Sequence, residues 1–218
     1  MQLKIKKIIS RSKDIFSLIL EKPESFTFYP GQYLDVELPI RSPDKLGKSR
    51  TFTISASPTE EFLMITTTKS ASKFKKTMGN LKKGDNITAT HPIGTFILDE
   101  SSPAIFIAGG IGITPFRSMI KYAVDQKLTT PITLIYSNSD SNFLFKKELE
   151  DWRRHLPNLT IIYHNSTQKG HLSKLPPTTH LPIYYLAGPP SFVDDMEKIL
   201  LDLGIDEINI RYDRFDGY

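Results

Sequence analysis

With 218 residues, of which 39% are hydrophobic, 24% charged and 11% aromatic, the chain has the make-up of a globular protein with room for two compact domains, which excludes disorder as its main theme. The lack of any cysteine excludes a disulfide, a thiolate zinc site and a cysteine-ligated iron–sulfur cluster, so redox chemistry in this chain needs another cofactor. The net charge of +4 hides an asymmetry: residues 1–98 carry 16 Lys/Arg against 9 Asp/Glu, and the remainder 12 against 15. The basic part is the one suited to attract an acidic partner.

Met1 to Ser10 is basic and lacks the sustained apolar stretch of a secretory signal, and no run approaches the ~18 apolar residues of a membrane span. A cytoplasmic protein is the expectation. From there to about Leu98 the sequence reads as short β segments: Ile15 to Leu20, Gln32 to Leu38, Thr51 to Ser55, Phe62 to Thr67 and Asn86 to Thr90. Tyr29-Pro-Gly-Gln32, Ser57-Pro58 and Lys83-Gly-Asp85 supply turns, and the spacing predicts a small antiparallel barrel or sandwich. Phe74 and Met78, four apart, place one short helix over Ser72 to Leu81.

After the polar joint Asp99 to Pro103 the pattern becomes strand and helix in alternation. Strands are expected at Pro103 to Ala108, Ile132 to Tyr136, Leu159 to Tyr163, Ile183 to Leu186 and Ile208 to Ile210. Helices are expected at Thr114 to Lys127, Phe143 to His155 and Ser191 to Leu203. Such alternation predicts a parallel sheet with helices on its faces. The domains are therefore set at 1–98, an antiparallel β-barrel, and 99–218, an α/β domain with a parallel sheet.

Ile107-Ala-Gly-Gly-Ile-Gly-Ile-Thr-Pro-Phe116 is a glycine-rich turn between a buried strand and a helix. Thr114 suits the N-cap and Pro115 the first helical position, so backbone N–H groups would point at an anion, with a pyrophosphate as the expected ligand. A second glycine turn, Ala187-Gly-Pro-Pro190, belongs to the same carboxyl edge of the sheet. In Ser49 to Ser55 an arginine stands beside alternating aromatic and hydroxyl residues. On a strand Arg50 and Phe52 share one face, Thr51 and Thr53 the other.

Taken together, Pro30-Gly-Gln32, Arg50-Thr-Phe-Thr53, Ser72-Lys-Phe74, Gly94-Thr-Phe96, Gly109 to Pro115, Ala187 to Pro190 and Asp213-Arg-Phe215 resemble the ordered motifs of the ferredoxin–NADP reductase superfamily of flavoproteins, over nearly the whole chain. The resemblance implies an FAD-binding barrel followed by an NAD(P)-binding α/β domain. It implies that Arg50 binds flavin phosphate, that Phe52 lies against the isoalloxazine, and that Thr53 hydrogen-bonds near N5. Ser72 would contact the second phosphate, which favours FAD over FMN, and Thr51 and Thr66 would complete the flavin set. Gly109, Gly110, Gly112, Thr114, Pro115, Ser137, Asn138, Gly188 and Pro189 would receive NADH or NADPH. Phe215, or else Tyr218, would cover the flavin with Asp213 nearby, so that Thr53, Asp213 and Phe215 stand at the reacting atoms.

Departures from the family pattern carry their own expectations. Phe52 stands where tyrosine is commoner, Ala187 where cysteine is frequent, and Ser139 where NADPH users often have arginine, which favours NADH unless Lys146 or Lys147 substitutes. The implied partner is ferredoxin, flavodoxin or a similar acidic carrier, docking near Lys73, Lys75, Lys76, Lys82 and Lys83, with no nucleic acid, no membrane span and no metal. Alternatives are an NAD(P)H:flavin or ferric reductase, and an electron-transfer subunit of a larger complex. Gly47-Lys-Ser49 imitates the end of a P-loop, but Ser42 stands where the first glycine belongs. His91, His155, His164, His171 and His180 lack metalloprotease spacing, and they, Trp152 and Tyr184 are read as structural.

Overall fold

The computed structural model describes residues 1–45, 47–170 and 181–215. The chain divides into two compact units, Met1–Ile97 and Leu98–Tyr218. The first holds strands β1 (Gln2–Ser10), β2 (Ile15–Glu21), β3 (Tyr33–Glu37), β4 (Ser49–Thr53) and β5 (Phe62–Thr68), then helix α1 (Lys73–Gly79) and strand β6 (Asn86–Ala89). They form one antiparallel sheet in the order β4-β3-β6-β1-β2-β5. A bridge between Ile54 and Ile65 joins its two edges and closes it into a barrel around Leu18, Leu34 and Val36, all fully buried.

The long strand β1 lies where the sequence offered only a basic amino terminus. It alternates, with Leu3 and Ile5 buried and Lys4 exposed, and then a bulge between Ile5 and Lys7 ends the alternation, so three charged side chains mask a central strand. The turns of the barrel brace one another. The Gln32 side chain accepts from the Tyr29 N–H at 2.9 Å and donates to the Gly94 carbonyl at 3.1 Å, so Pro30-Gly-Gln32 and Gly94-Thr-Phe96 hold together. Gly94 has φ +106°, and a Cβ there would meet the Tyr33 ring at 2.6 Å.

The second unit holds β7 (Ala104–Gly109), α2 (Ile113–Asp125), β8 (Ile132–Asn138), α3 (Lys146–His155), β9 (Leu159–Asn165), α4 (Ser166–Lys169), β10 (Ile183–Gly188), α5 (Pro190–Asp202) and β11 (Ile210–Arg214). The five strands are parallel, in the order β11-β10-β7-β8-β9. β7 is buried at every residue, as befits the central strand of a sheet covered on both faces. Residues 207–209, which take in the first two residues of the stretch read as the last strand, form a 3₁₀ turn, and β11 runs on through the charged residues Arg211, Asp213 and Arg214.

Chain order reverses between β7 and β10. The sheet grows from β7 through β8 to β9, then returns to lay β10 on the other side of β7. Ligands of open α/β sheets bind outside the carboxyl ends of the strands at such a switch point. Here those ends are Gly109 and Gly188.

Candidate functional site

In the barrel, β4 directs Arg50 and Phe52 toward α1 and Thr51 away from it. Phe52 stacks on Phe74 of α1 with centroids 5.9 Å apart, and the Arg50 guanidinium lies 5.2 Å from the Phe74 centroid. Thr51 donates to Asp35 Oδ1 at 2.6 Å, so the facing expected of an extended strand holds. Arg50 is anchored by an ion pair to Asp44 at 2.6 Å and by bonds to the carbonyls of Gly47 and Ser49. Thr53 is buried at the end of β4. Ser72 is the N-cap of α1, its hydroxyl accepting from the Lys75 N–H at 3.2 Å.

Two expectations for this unit change. Thr66 lies inside the barrel, where its hydroxyl is 2.8 Å from that of Ser17 and 3.0 Å from that of Ser55. This chain of hydroxyls satisfies buried oxygens and leaves Thr66 outside the candidate site. Lys75 is not part of a docking face. It lies in the interior, bonded to Thr67 Oγ1, with its ammonium 4.9 Å from the Phe52 centroid, and burial with the nearby Arg50 charge lowers its pKa to about 8. Its spacing from Met78, three residues on, is the sequence signal that could have placed it on the inner stripe. Lys73, by contrast, is exposed and donates to the Ser42 carbonyl.

In the second unit the glycine turn does two jobs. A Cβ on Gly109 would lie 2.5 Å from the Phe192 ring, and one on Gly112 would lie 2.1 Å from the Ala187 carbonyl oxygen. These glycines are required by the protein's own packing, against α5 and the end of β10. Gly110 differs, with φ +54° and nothing nearer to a Cβ than Asn138 Oδ1 at 3.9 Å. It is the glycine that leaves open space at the switch point. Phe192, which sits against both Gly109 and Gly188, carried no sequence motif.

Thr114 is not the N-cap of α2. The helix follows a 3₁₀ turn over Gly110–Gly112 and starts at Ile113, with Gly112 as its cap, so Thr114 is inside it and donates to the Ile111 carbonyl at 3.1 Å. Pro115 falls in the first turn, where a missing N–H removes no helical bond. Beside the turn, Ser137 is buried at the end of β8. Asn138 donates to Asp140 Oδ1 at 2.9 Å, and the same carboxylate accepts from the Asn142 N–H at 2.8 Å. Lys146 lies over the rings of Tyr163 at 5.0 Å and Phe143 at 5.8 Å. Asp213 pairs in register with Ala187, and the Phe215 N–H donates to the Gly188 carbonyl at 2.9 Å. Tyr218, His171 and His180 fall outside the described residues. Among the described residues no three His, Asp or Glu side chains gather as metal ligands, and no helix is long and apolar enough to cross a membrane.

Residues 1–97 match the family model of the oxidoreductase FAD-binding domain, and residues 106–198 that of the oxidoreductase NAD-binding domain. The chain is 28% identical over 227 residues to the flavohemoprotein of Bacillus subtilis (strain 168), covering 94% of this chain and 56% of that protein. It is 29% identical over 234 residues to flavohemoprotein B of Dictyostelium discoideum, covering 93% and 55%. It thus spans little more than half the length of these relatives. Among solved structures, the flavohem-like FAD/NAD binding domain of nitric oxide dioxygenase from Vibrio cholerae superposes with a TM-score of 0.83 at 19% identity, covering 98% of both chains. Ferredoxin–NADP+ reductase from Plasmodium falciparum superposes with a TM-score of 0.82 at 21% identity, covering 98% of this chain and 95% of that one.

Proposed function

Because the chain belongs to the oxidoreductases built from an FAD-binding and an NAD-binding domain, we propose that it moves a hydride between NAD(P)H and FAD and exchanges single electrons with a redox protein. Bound FAD would supply what no side chain here offers, a two-electron acceptor able to release its electrons singly. The observation that carries the reading is the corner formed by β4 and the start of α1, where the Arg50 guanidinium and the Ser72 cap hydroxyl stand by the stacked rings of Phe52 and Phe74.

In this proposal the Arg50 guanidinium holds a phosphate through a charge-assisted fork, and Phe52 offers an apolar wall to the flavin ring. Thr53 donates or accepts a hydrogen bond at the flavin edge, and Ser72 adds its hydroxyl toward the second phosphate. Gly110 leaves room for the dinucleotide, Gly188 and Pro189 frame the opposite side of the switch point, and Ser137 and Asn138 face the adenosine half. Asp213 and Phe215, tied to Ala187 and Gly188, are assigned to the nicotinamide end. We place the reaction in the cytoplasm, where NAD(P)H is supplied.

For the carrier, the basic first unit suits an acidic ferredoxin or flavodoxin. The relatives' names favour a second reading, in which the electrons go to a haem protein, since flavohemoproteins are the proteins that this chain half spans. The test is NADH oxidation by the FAD-loaded chain with ferricyanide, then with a ferredoxin, a flavodoxin and a globin in turn. Turnover with ferricyanide is expected, and the protein acceptor with the highest kcat/KM identifies the carrier class. No oxidation with any of them overturns the reading.

A further inference from the structure

Helix α1 buries Phe74, Lys75 and Met78 against the barrel, and Lys75 is only 9% exposed. Its ammonium donates to Thr67 Oγ1 on β5 and lies 4.9 Å from the centroid of Phe52 on β4. Phe52 stacks on Phe74, over which Arg50 lies at 5.2 Å, so two cations share one aromatic corner. Leucine or methionine at this position would fill the same space with no charge to desolvate. A buried ammonium is costly unless an interaction offsets it, and Arg50 beside it adds repulsion, which together hold its pKa down to about 8. The Asp44 carboxylate is engaged with Arg50 at 2.6 Å.

We infer that Lys75 is a second cationic contact for the phosphates of FAD, acting beside Arg50. The inference rests on the FAD reading above. An anion between two like charges relieves their repulsion and shares the desolvation cost of both, and a diphosphate offers several oxygens to two donors of different shape, a planar fork and a point charge. On this account Phe52 is the common wall, with Lys75 held against it by Thr67 in place before the ligand arrives.

The test is equilibrium binding of FAD to the flavin-free chain, followed by quenching of flavin fluorescence over a range of ionic strengths. Wild type, Lys75→Met and Lys75→Arg are compared, and each is melted without FAD. Lys75→Met is expected to weaken FAD by about tenfold or more and to flatten the salt dependence, while melting at or above wild type. Lys75→Arg, which keeps the charge, is expected to stay within about threefold of wild type. Lys75→Met that binds FAD as wild type does, or an arginine variant as weak as the methionine one, overturns this inference and leaves the FAD reading standing. A wild-type chain that takes up no FAD overturns the FAD reading and this inference with it.

Discussion

Alanine at Gly112 tests how the glycine turn is used. The added Cβ would lie 2.1 Å from the Ala187 carbonyl oxygen, 2.4 Å from its carbonyl carbon and 2.6 Å from the Gly188 nitrogen, where non-bonded heavy atoms prefer ~3.5 Å or more. The obstacle is main chain, the end of a strand hydrogen-bonded on both sides to β7 and β11, so no rotamer change gives relief. Overpacking costs about 1 to 3 kcal/mol, and a rigid opponent puts Gly112→Ala at the upper end, or a fall of roughly 12 °C in Tm at about 4 °C per kcal/mol. Gly109→Ala meets the Phe192 ring at 2.5 Å, a side chain that can turn, so about 1 kcal/mol is expected, recovered in the Gly109→Ala, Phe192→Leu double variant. Gly110→Ala meets open space but keeps φ +54°, which costs a residue with a Cβ roughly 1 to 2 kcal/mol. It is also the substitution expected to weaken NADH. Thermal melting and NADH titration of the variants decide the matter. A Gly112→Ala chain that melts with wild type, or one that loses NADH affinity at unchanged Tm, would refute the packing assignment.

Three further outcomes are expected. In the flavin-free chain, Lys75, faced by Arg50 from β4 and by the neutral Thr67 from β5, has its pKa lowered to about 8 against ~10.4 in the unfolded chain. The unfolded state therefore binds more protons between those values, so stability rises with pH across that window by up to about 3 kcal/mol, and below it the burial cost is fully present. Urea unfolding of wild type and Lys75→Met at pH 7 and 9.5 checks this, the difference between the two chains shrinking as pH rises. Arg117, which is 4% exposed, gives two bonds to Glu148 Oε2 at 3.0 and 2.6 Å and lies 5.2 Å from the rings of both Phe145 and Trp152. Arg117→Ala is expected to cost about 3 kcal/mol in urea unfolding, at the low end for a broken buried pair because Glu148 keeps contact with water. NADH is expected to reduce the flavin at least as fast as NADPH, because Ser139 offers no cation, Lys146 is held over two rings and the Asp140 carboxylate stands by Asn138. Stopped-flow bleaching with each donor measures it, and a strong NADPH preference would locate the missing cation elsewhere.

The sequence carried the architecture because its signals are local. Strand-length β-branched runs and strand–helix alternation mark the two sheets, and glycine turns mark the carboxyl ends of β7 and β10. What it hid are matters of three-dimensional neighbourhood. β1 was masked by lysines on its outer face, and a bulge breaks the alternation that would have betrayed it. Thr114 has the chemistry of an N-cap, but the preceding glycines coil into a 3₁₀ turn and start the helix early. Thr66 reads as an available hydroxyl until Ser17 and Ser55, distant in sequence, are found beside it. Lys75 reads as surface charge until β4 and β5 close over it. Gly109 and Gly112 read as ligand glycines, and only the positions of Phe192 and Ala187 show that packing requires them.

The central claim, hydride exchange between NAD(P)H and FAD held by this chain, is tested most directly by one anaerobic absorbance titration of the protein purified and, if colourless, incubated with FAD. The account predicts about one flavin per chain retained through gel filtration, and full bleaching of its visible band on addition of one equivalent of NADH. A chain that retains no flavin, or a bound flavin that neither NADH nor NADPH bleaches, would contradict it.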